Sequence, residues 1–153
     1  MAGRSRYSIS SKGAGIENGV LKNKLGITEQ QSLDDAETLL LSDAYEHFFN
    51  QLHDHGLIFS IDLLLEIYAY FLGTLYLWAG KLRNVNISKN DTLFALPEFL
   101  DESLQRFDEE LAKLIPSKKK AEVAQKLSII HNELNALHPF REGNGRTILY
   151  FSI

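Results

Sequence analysis

The chain has 153 residues, 44% of them hydrophobic and 24% charged, a balance that fits one globular domain burying roughly 70% of its unfolded surface. A net charge of −4 excludes a general field drawing in nucleic acid or anionic lipid, so neither is an expected partner and an anionic ligand needs a local site. The lack of cysteine excludes disulfides, thiolate chemistry and cysteine-ligated zinc, and is compatible with a cytoplasmic setting.

Residues 1–15 are rich in Ser, Gly and basic side chains without a sustained period and read as a flexible N-terminal arm; MAGRSRYSIS lacks the apolar core of a signal peptide. In SLDDAETLLLSDAYEHFFNQL, Ser32 is the expected N-cap, with Asp34 and Asp35 in the first turn where the helix dipole favours acids. Leu33, Ala36, Leu40, Ala44, Phe48 and Leu52 form its predicted apolar stripe. Ser60 caps a second predicted helix running to Gly80, apolar on nearly every face and therefore central to the core. Its uncharged run from Ile67 to Gly80 is shorter than the about 18 residues of a membrane span, and Tyr68, Tyr70, Phe71, Tyr76 and Trp78 read as core.

In LRNVNISKNDTLFAL, β-favouring residues flank the turn-like Lys89-Asn90-Asp91 and predict a small hairpin. Pro97 opens a third helix with Phe99, Leu100, Leu104, Phe107, Leu111 and Leu114 on one stripe, and Pro116 ends it. Ser117 caps a fourth, in which Val123, Leu127, Ile130, Leu134 and Leu137 recur at helical spacing; the run Lys118 to Lys120 reads as its solvated first turn. The expected fold class is all-α with a small β-hairpin.

The chemistry concentrates in HPFREGNGR, His138 to Arg146. A predicted helix ending near Leu137 places His138 at a helix C-terminus, where the dipole favours the charged imidazole and is expected to raise its basicity, as suits a general base. Gly143, Asn144, Gly145 and Arg146 then lead into TILYFSI, a glycine-rich turn feeding a helix N-terminus, which aims backbone N–H groups at an anion. Glu142 offers a carboxylate to a magnesium ion bridging phosphate oxygens, Arg146 a bidentate contact to an outer phosphate, and Phe140 an anchor in the core. A lone histidine is more often structural, but these neighbours supply base, metal ligand and oxyanion cradle together. His47, His53, His55 and His131 show no metal-ligand spacing.

HPFREGNGR resembles the signature of the Fic domain family, HPFx(D/E)GNGR, at every position, and VLKNKLGI, YLWAGKLR and VNISK resemble family segments in family order. The resemblance runs from about Val20 to Tyr150 and implies a Fic domain over residues 16–153, with a helical core and a β-hairpin flap. It further implies AMP transfer from ATP, with Mg²⁺, to a Tyr, Thr or Ser hydroxyl of a target protein. His138 would be the general base, Glu142 the metal ligand, and Gly143, Asn144, Gly145 and Arg146 the phosphate holders. The flap, including Val85, Asn86, Ile87, Ser88, Lys89, Thr92, Leu93 and Phe94, would align the target segment by strand-like pairing.

The sequence also departs from the family pattern. Leu149 stands where many members carry a second arginine reaching the γ-phosphate, Tyr68 stands where histidine is more usual, and the segment after Gly145 is shorter than the family's C-terminal helices. An inhibitory (S/T)xxxE(G/N) helix is not matched: Glu17-Asn18 is preceded by Gly13, and SDAYEH fails at its last position, so a separate antitoxin-like polypeptide or further residues would inhibit. Two alternatives therefore stand beside adenylyl transfer: another phosphate-containing donor or phosphate transfer at the same site, and a catalytically weak remnant acting as a binding module. Phosphate-transferring Doc toxins carry Lys where Gly145 stands, which argues against that orientation. Toxin and host-delivered effector roles both remain open.

Overall fold

The computed structural model describes residues 8–9, 15–113 and 119–152. Two short antiparallel sheets decorate a helical core. Strand β1 (Ser8–Ile9) precedes a hairpin of β2 (Ile16–Glu17) and β3 (Val20–Leu21), turned by Asn18 and Gly19 at positive φ. The segment holding Glu17-Asn18 is thus a hairpin, not an inhibitory helix. The remainder of the expected flexible arm, residues 1–7 and 10–14, lies outside the described residues.

Helix α1 (Gln30–His55) starts two residues before the expected Ser32 cap. Ser32 instead donates its hydroxyl to Glu29 at 2.8 Å, and the Gln30 and Gln31 amides donate to Asp34 and Asp35 at 2.7 and 2.8 Å, so i,i+4 pairs tie the earlier start to the next turn, and the two acids lie beyond the first turn where they were expected. Leu33, Ala44 and Phe48 are buried, Ala36 and Leu40 half-buried, and Leu52 exposed. The buried stripe also contains an acid, Glu37.

Helix α2 (Ile61–Leu72) has the expected Ser60 cap, whose oxygen accepts from the Leu63 amide at 3.2 Å. Asp108 accepts from the Ile61 amide at 2.7 Å, placing a second acceptor at this helix start. Six of its residues are buried, from Leu63 to Leu72, so it is the central element. It ends at Leu72, short of the expected Gly80: the chain leaves the helix at Gly73, where a Cβ would collide with the Ala69 carbonyl. It then folds back in turns to Gly80, where a Cβ would lie 2.7 Å from that of Ala69. The apolar run codes for a helix plus a buried turn, because both bury the same side chains. Tyr70 is not core: it faces outward, stacks on His47 at 4.4 Å, and donates to Asp43 at 3.0 Å.

Strands β4 (Ile87–Lys89) and β5 (Thr92–Leu93) form the expected hairpin, pairing Ser88 with Leu93 and Lys89 with Thr92. Asn90 and Asp91 both have positive φ, the two-residue type I′ geometry that matches strand twist. Strand β1 pairs with the other side of β4, so the sheet order is β1-β4-β5. A 3-10 turn at Pro97–Phe99 leads into helix α3 (Leu100–Ala112), which buries Leu100, Leu104, Phe107 and Leu111; Phe99 precedes the helix and is exposed. Leu114, Pro116 and Ser117 lie outside the described residues.

Helix α4 (Lys120–Leu137) buries Ile130 and Leu134, while Val123 at its start is exposed. Helix α5 (Asn144–Phe151) packs between α2 and α4, burying Thr147, Ile148 and Phe151. The fold is thus mostly α with a small hairpin. Among the described residues no helix is long and apolar enough to cross a membrane.

Candidate active site

Helix α4 stops at His138, whose backbone is left-handed (φ 46, ψ 63) and whose N–H still bonds the Leu134 carbonyl at 2.9 Å. The imidazole Nδ1 lies 2.5 Å from the Asn135 carbonyl. A carbonyl only accepts, so Nδ1 carries the hydrogen in the neutral ring and Nε2 carries the lone pair. Phe94 of the hairpin stacks on this ring, centroids 3.7 Å apart and planes 13° apart.

The helix dipole does not raise the basicity of His138 as expected. Burial pushes the imidazole below the ordinary histidine value; the charges of Arg83 and Lys89 act the same way, against the bond to Asn135, which raises it. Taking a cation out of water outweighs the half-charge of a helix end. The consequence is a neutral ring at pH 7, the form that accepts a proton.

The loop beyond His138 is built inward. Phe140 is fully buried and stacks on Tyr68 of α2 at 3.8 Å, so Tyr68 supplies a flat seat for the loop. Asn144 closes the turn on itself: its Oδ1 accepts from the Phe140 amide at 2.8 Å and its Nδ2 donates to the Phe140 carbonyl at 2.6 Å. That amide is occupied in shaping the loop rather than directed at a ligand. Gly143 has φ 75, and a Cβ there would stand 2.9 Å from Leu72 Cδ1, so both conformation and space demand glycine. Helix α5 opens at the next residue, with Gly145 exposed at its first turn.

Arg146 and Glu142 meet a cluster that the motif alone does not announce. Arg146 Nη1 donates to Glu37 of α1 at 2.6 Å, and its guanidinium lies 5.2 Å from the Phe71 ring centroid. The other Glu37 oxygen accepts from the Tyr76 hydroxyl at 2.6 Å. Burial, reinforced by the Glu37 hydrogen bond and by the nearby Glu142 charge, holds the Tyr76 phenol protonated far above its ordinary value. Glu142 is itself buried, 3% exposed. Among the described residues no three His, Asp or Glu side chains form a metal cage. One buried carboxylate beside a glycine turn that opens a helix fits Mg²⁺ in kind, since that ion is commonly held by one or two carboxylates plus substrate phosphates.

The structure therefore places His138, Glu142 and Gly143 in one loop and Asn144, Gly145 and Arg146 in the first turn of α5, and adds Phe94 from the hairpin. The other hairpin residues divide: Lys89, Thr92 and Leu93 are exposed, Val85, Asn86 and Ser88 half-buried, and Ile87 buried, so the Ile87 side chain anchors the hairpin instead of facing a target. Leu149 is exposed on the far part of α5. Sequence reasoning missed Glu37, Tyr76 and Arg83. An acid at an i+4 position from Leu33 on an apolar stripe was a signal for the first; Arg83 carried none of its own.

A model of the Fic/DOC family matches residues 58–153. A probable protein adenylyltransferase of Sinorhizobium fredii is 35% identical over 135 residues, covering 86% of this chain and 68% of that protein. The protein adenylyltransferase VbhT of Bartonella schoenbuchensis is also 35% identical, covering 88% of this chain but only 28% of its own length. The N-terminal Fic domain of an effector protein from Bartonella sp. AR 15-3 superposes with a TM-score of 0.70 at 26% identity, covering 86% of this chain and 65% of that one. A helical core closed by a histidine-glycine loop under a hairpin defines a Fic-type fold. The chain belongs to the Fic/DOC family.

Proposed function

We propose that the protein transfers AMP from ATP to a Tyr, Thr or Ser hydroxyl of a target protein. The observation that carries this reading is the neutral, oriented imidazole of His138, set directly before a glycine turn and the N-terminus of α5. The names of the two adenylyltransferase relatives support it. The target hydroxyl oxygen attacks the α-phosphorus while His138 Nε2 takes its proton; the P–O bond to the bridging oxygen breaks, and pyrophosphate leaves. Backbone amides at Gly143 to Gly145 face the phosphate charge, in keeping with anion binding at helix N-termini. Arg146, steered by Glu37, adds a fixed positive charge. Glu142 would hold Mg²⁺, which when bound neutralises phosphate charge and aids departure of pyrophosphate. The hairpin serves as a flap that aligns an extended target segment through backbone pairing.

Incubation with α-labelled ATP, Mg²⁺ and cell lysate is the test. Label should enter a target protein with the native chain and not with His138→Ala; no label, or equal label from both, overturns the reading. One observation favours a second reading, a Fic scaffold that binds a partner with little catalysis: Leu149 brings no charge to the outer phosphate. It predicts weak ATP binding by calorimetry, and tight Mg²⁺-dependent binding rejects it.

A further inference from the structure

We infer that Arg83 is a positioning residue that holds the flap in register with the His138 base. Its side chain is 4% exposed, and every hydrogen bond it donates goes to a backbone carbonyl. Nε reaches His138 O at 2.6 Å and Nη2 reaches Leu137 O at 3.1 Å, at the end of α4. Nη1 reaches Val85 O at 2.9 Å, just before β4, and Nη2 also bonds Ala95 O, just after β5. The Arg83 amide adds a bond to Pro139 O at 2.9 Å.

One planar fork thus joins both legs of the flap to the start of the catalytic loop. A guanidinium presents five N–H donors in fixed directions, whereas an ammonium is a single point with three. Among the described residues Arg83 has no carboxylate partner; the carbonyls at the negative end of α4 and at the flap base solvate the charge instead. Phe94, adjacent to Ala95, lies on the imidazole, so the contacts close a ring: Arg83 to Ala95, Phe94 to His138, and His138 back to Arg83. Moving the flap base moves both the ring above the base and the carbonyl below it.

The catalytic consequence rests on the adenylyl-transfer reading; the positioning itself does not. In the full chain, Arg83→Lys keeps the charge but cannot span four carbonyls. Its melting temperature should fall by a few degrees, because buried carbonyls lose their donor, while its ATP·Mg²⁺ affinity should stay close to that of the native protein, because the phosphate cradle is intact. Hydrogen exchange at the Phe94 amide, which bonds Ile87 O at 3.3 Å, should quicken about tenfold as the flap loosens. Label transfer at saturating ATP should fall roughly 10- to 100-fold with KM for ATP unchanged, the scale expected for a small misplacement of reacting groups.

Phe94→Leu, a change in the half-exposed flap, removes the stack without touching Arg83. Combined with Arg83→Lys it should cost little more than either change alone, since both break one ring of contacts. Unchanged exchange in Arg83→Lys, losses in melting temperature, ATP affinity and rate that move together, or additive effects in the double variant would overturn the proposal. If the native chain transfers no label, adenylyl transfer fails, and the exchange measurement still decides whether Arg83 positions the flap.

Discussion

The loop from His138 to Arg146 and the flap from Val85 to Leu96 meet at one imidazole, yet they are held by opposite means. The loop is packed from within: Phe140 on Tyr68, Gly143 on Leu72, the Asn144 amide closed on Phe140, and Arg146 paired with Glu37. The flap has two short strands, exposed tips at Asn90 and Asp91, one buried anchor in Ile87, and a fork of bonds from Arg83 at its base. On the proposed reading the loop's groups act on a reacting phosphate, where they gain from fixed geometry, and burial supplies it. By the same proposed reading, a flap that admits a target segment gains from being fastened only where it leaves the body.

Changes in the loop should therefore be severe and global, changes in the flap mild and local. His138→Ala should lower label transfer by about 10²- to 10⁴-fold, the range for a general base, while the helical circular dichroism signal persists. Phe140→Ala should destabilise the whole domain by about 3–5 kcal/mol, measured by denaturant unfolding, because a fully buried ring leaves a cavity against Tyr68. Gly143→Ala should cost about 1–3 kcal/mol through its positive φ and the approach to Leu72. Asp91→Gly, at a positive φ in the exposed turn, should change stability by about 1 kcal/mol or less, since Asp tolerates this region and Gly relieves it. A large loss from Asp91→Gly, or none from Phe140→Ala, would erase the contrast.

The pH response sharpens the same contrast. His138 titrates below its unfolded value of about 6.5, so between the two values the unfolded chain binds more protons than the folded one. Stability from this group is present above about pH 6.5 and is lost as pH falls through the lowered value. Transfer should likewise be flat near pH 7 and decline on the acid side. Imidazole shifts followed by NMR across pH 4–8 check the direction, and a value above 6.5 would contradict it.

Much of the site could be seen in the sequence because its chemistry is contiguous. One nine-residue stretch carries histidine, acid and glycine turn, and the pairing of Asn90 with Asp91 between β-formers specifies a tight hairpin. The Ser60 cap was legible for the same local reason. What stayed hidden depends on distant partners. An apolar run does not say whether its second half is helix or buried turn, so the end of α2 at Leu72 needed the packing of Gly80 on Ala69. The direction of the His138 shift depends on burial and on charges from other segments, and local dipole reasoning gave the wrong sign. Arg83 draws acceptors from residues 85, 95, 137 and 138, a pattern that no window of sequence contains.

The order β1-β4-β5 has a consequence for how the molecule meets other chains. An unpaired strand edge is a template for any extended backbone, and long flat edges invite self-association. Here β1 covers one side of β4, and among the described residues the outer side of β5 offers Thr92 and Leu93. That edge is too short to seed a growing sheet, and on the proposed reading it is long enough to take one extended target segment beside His138.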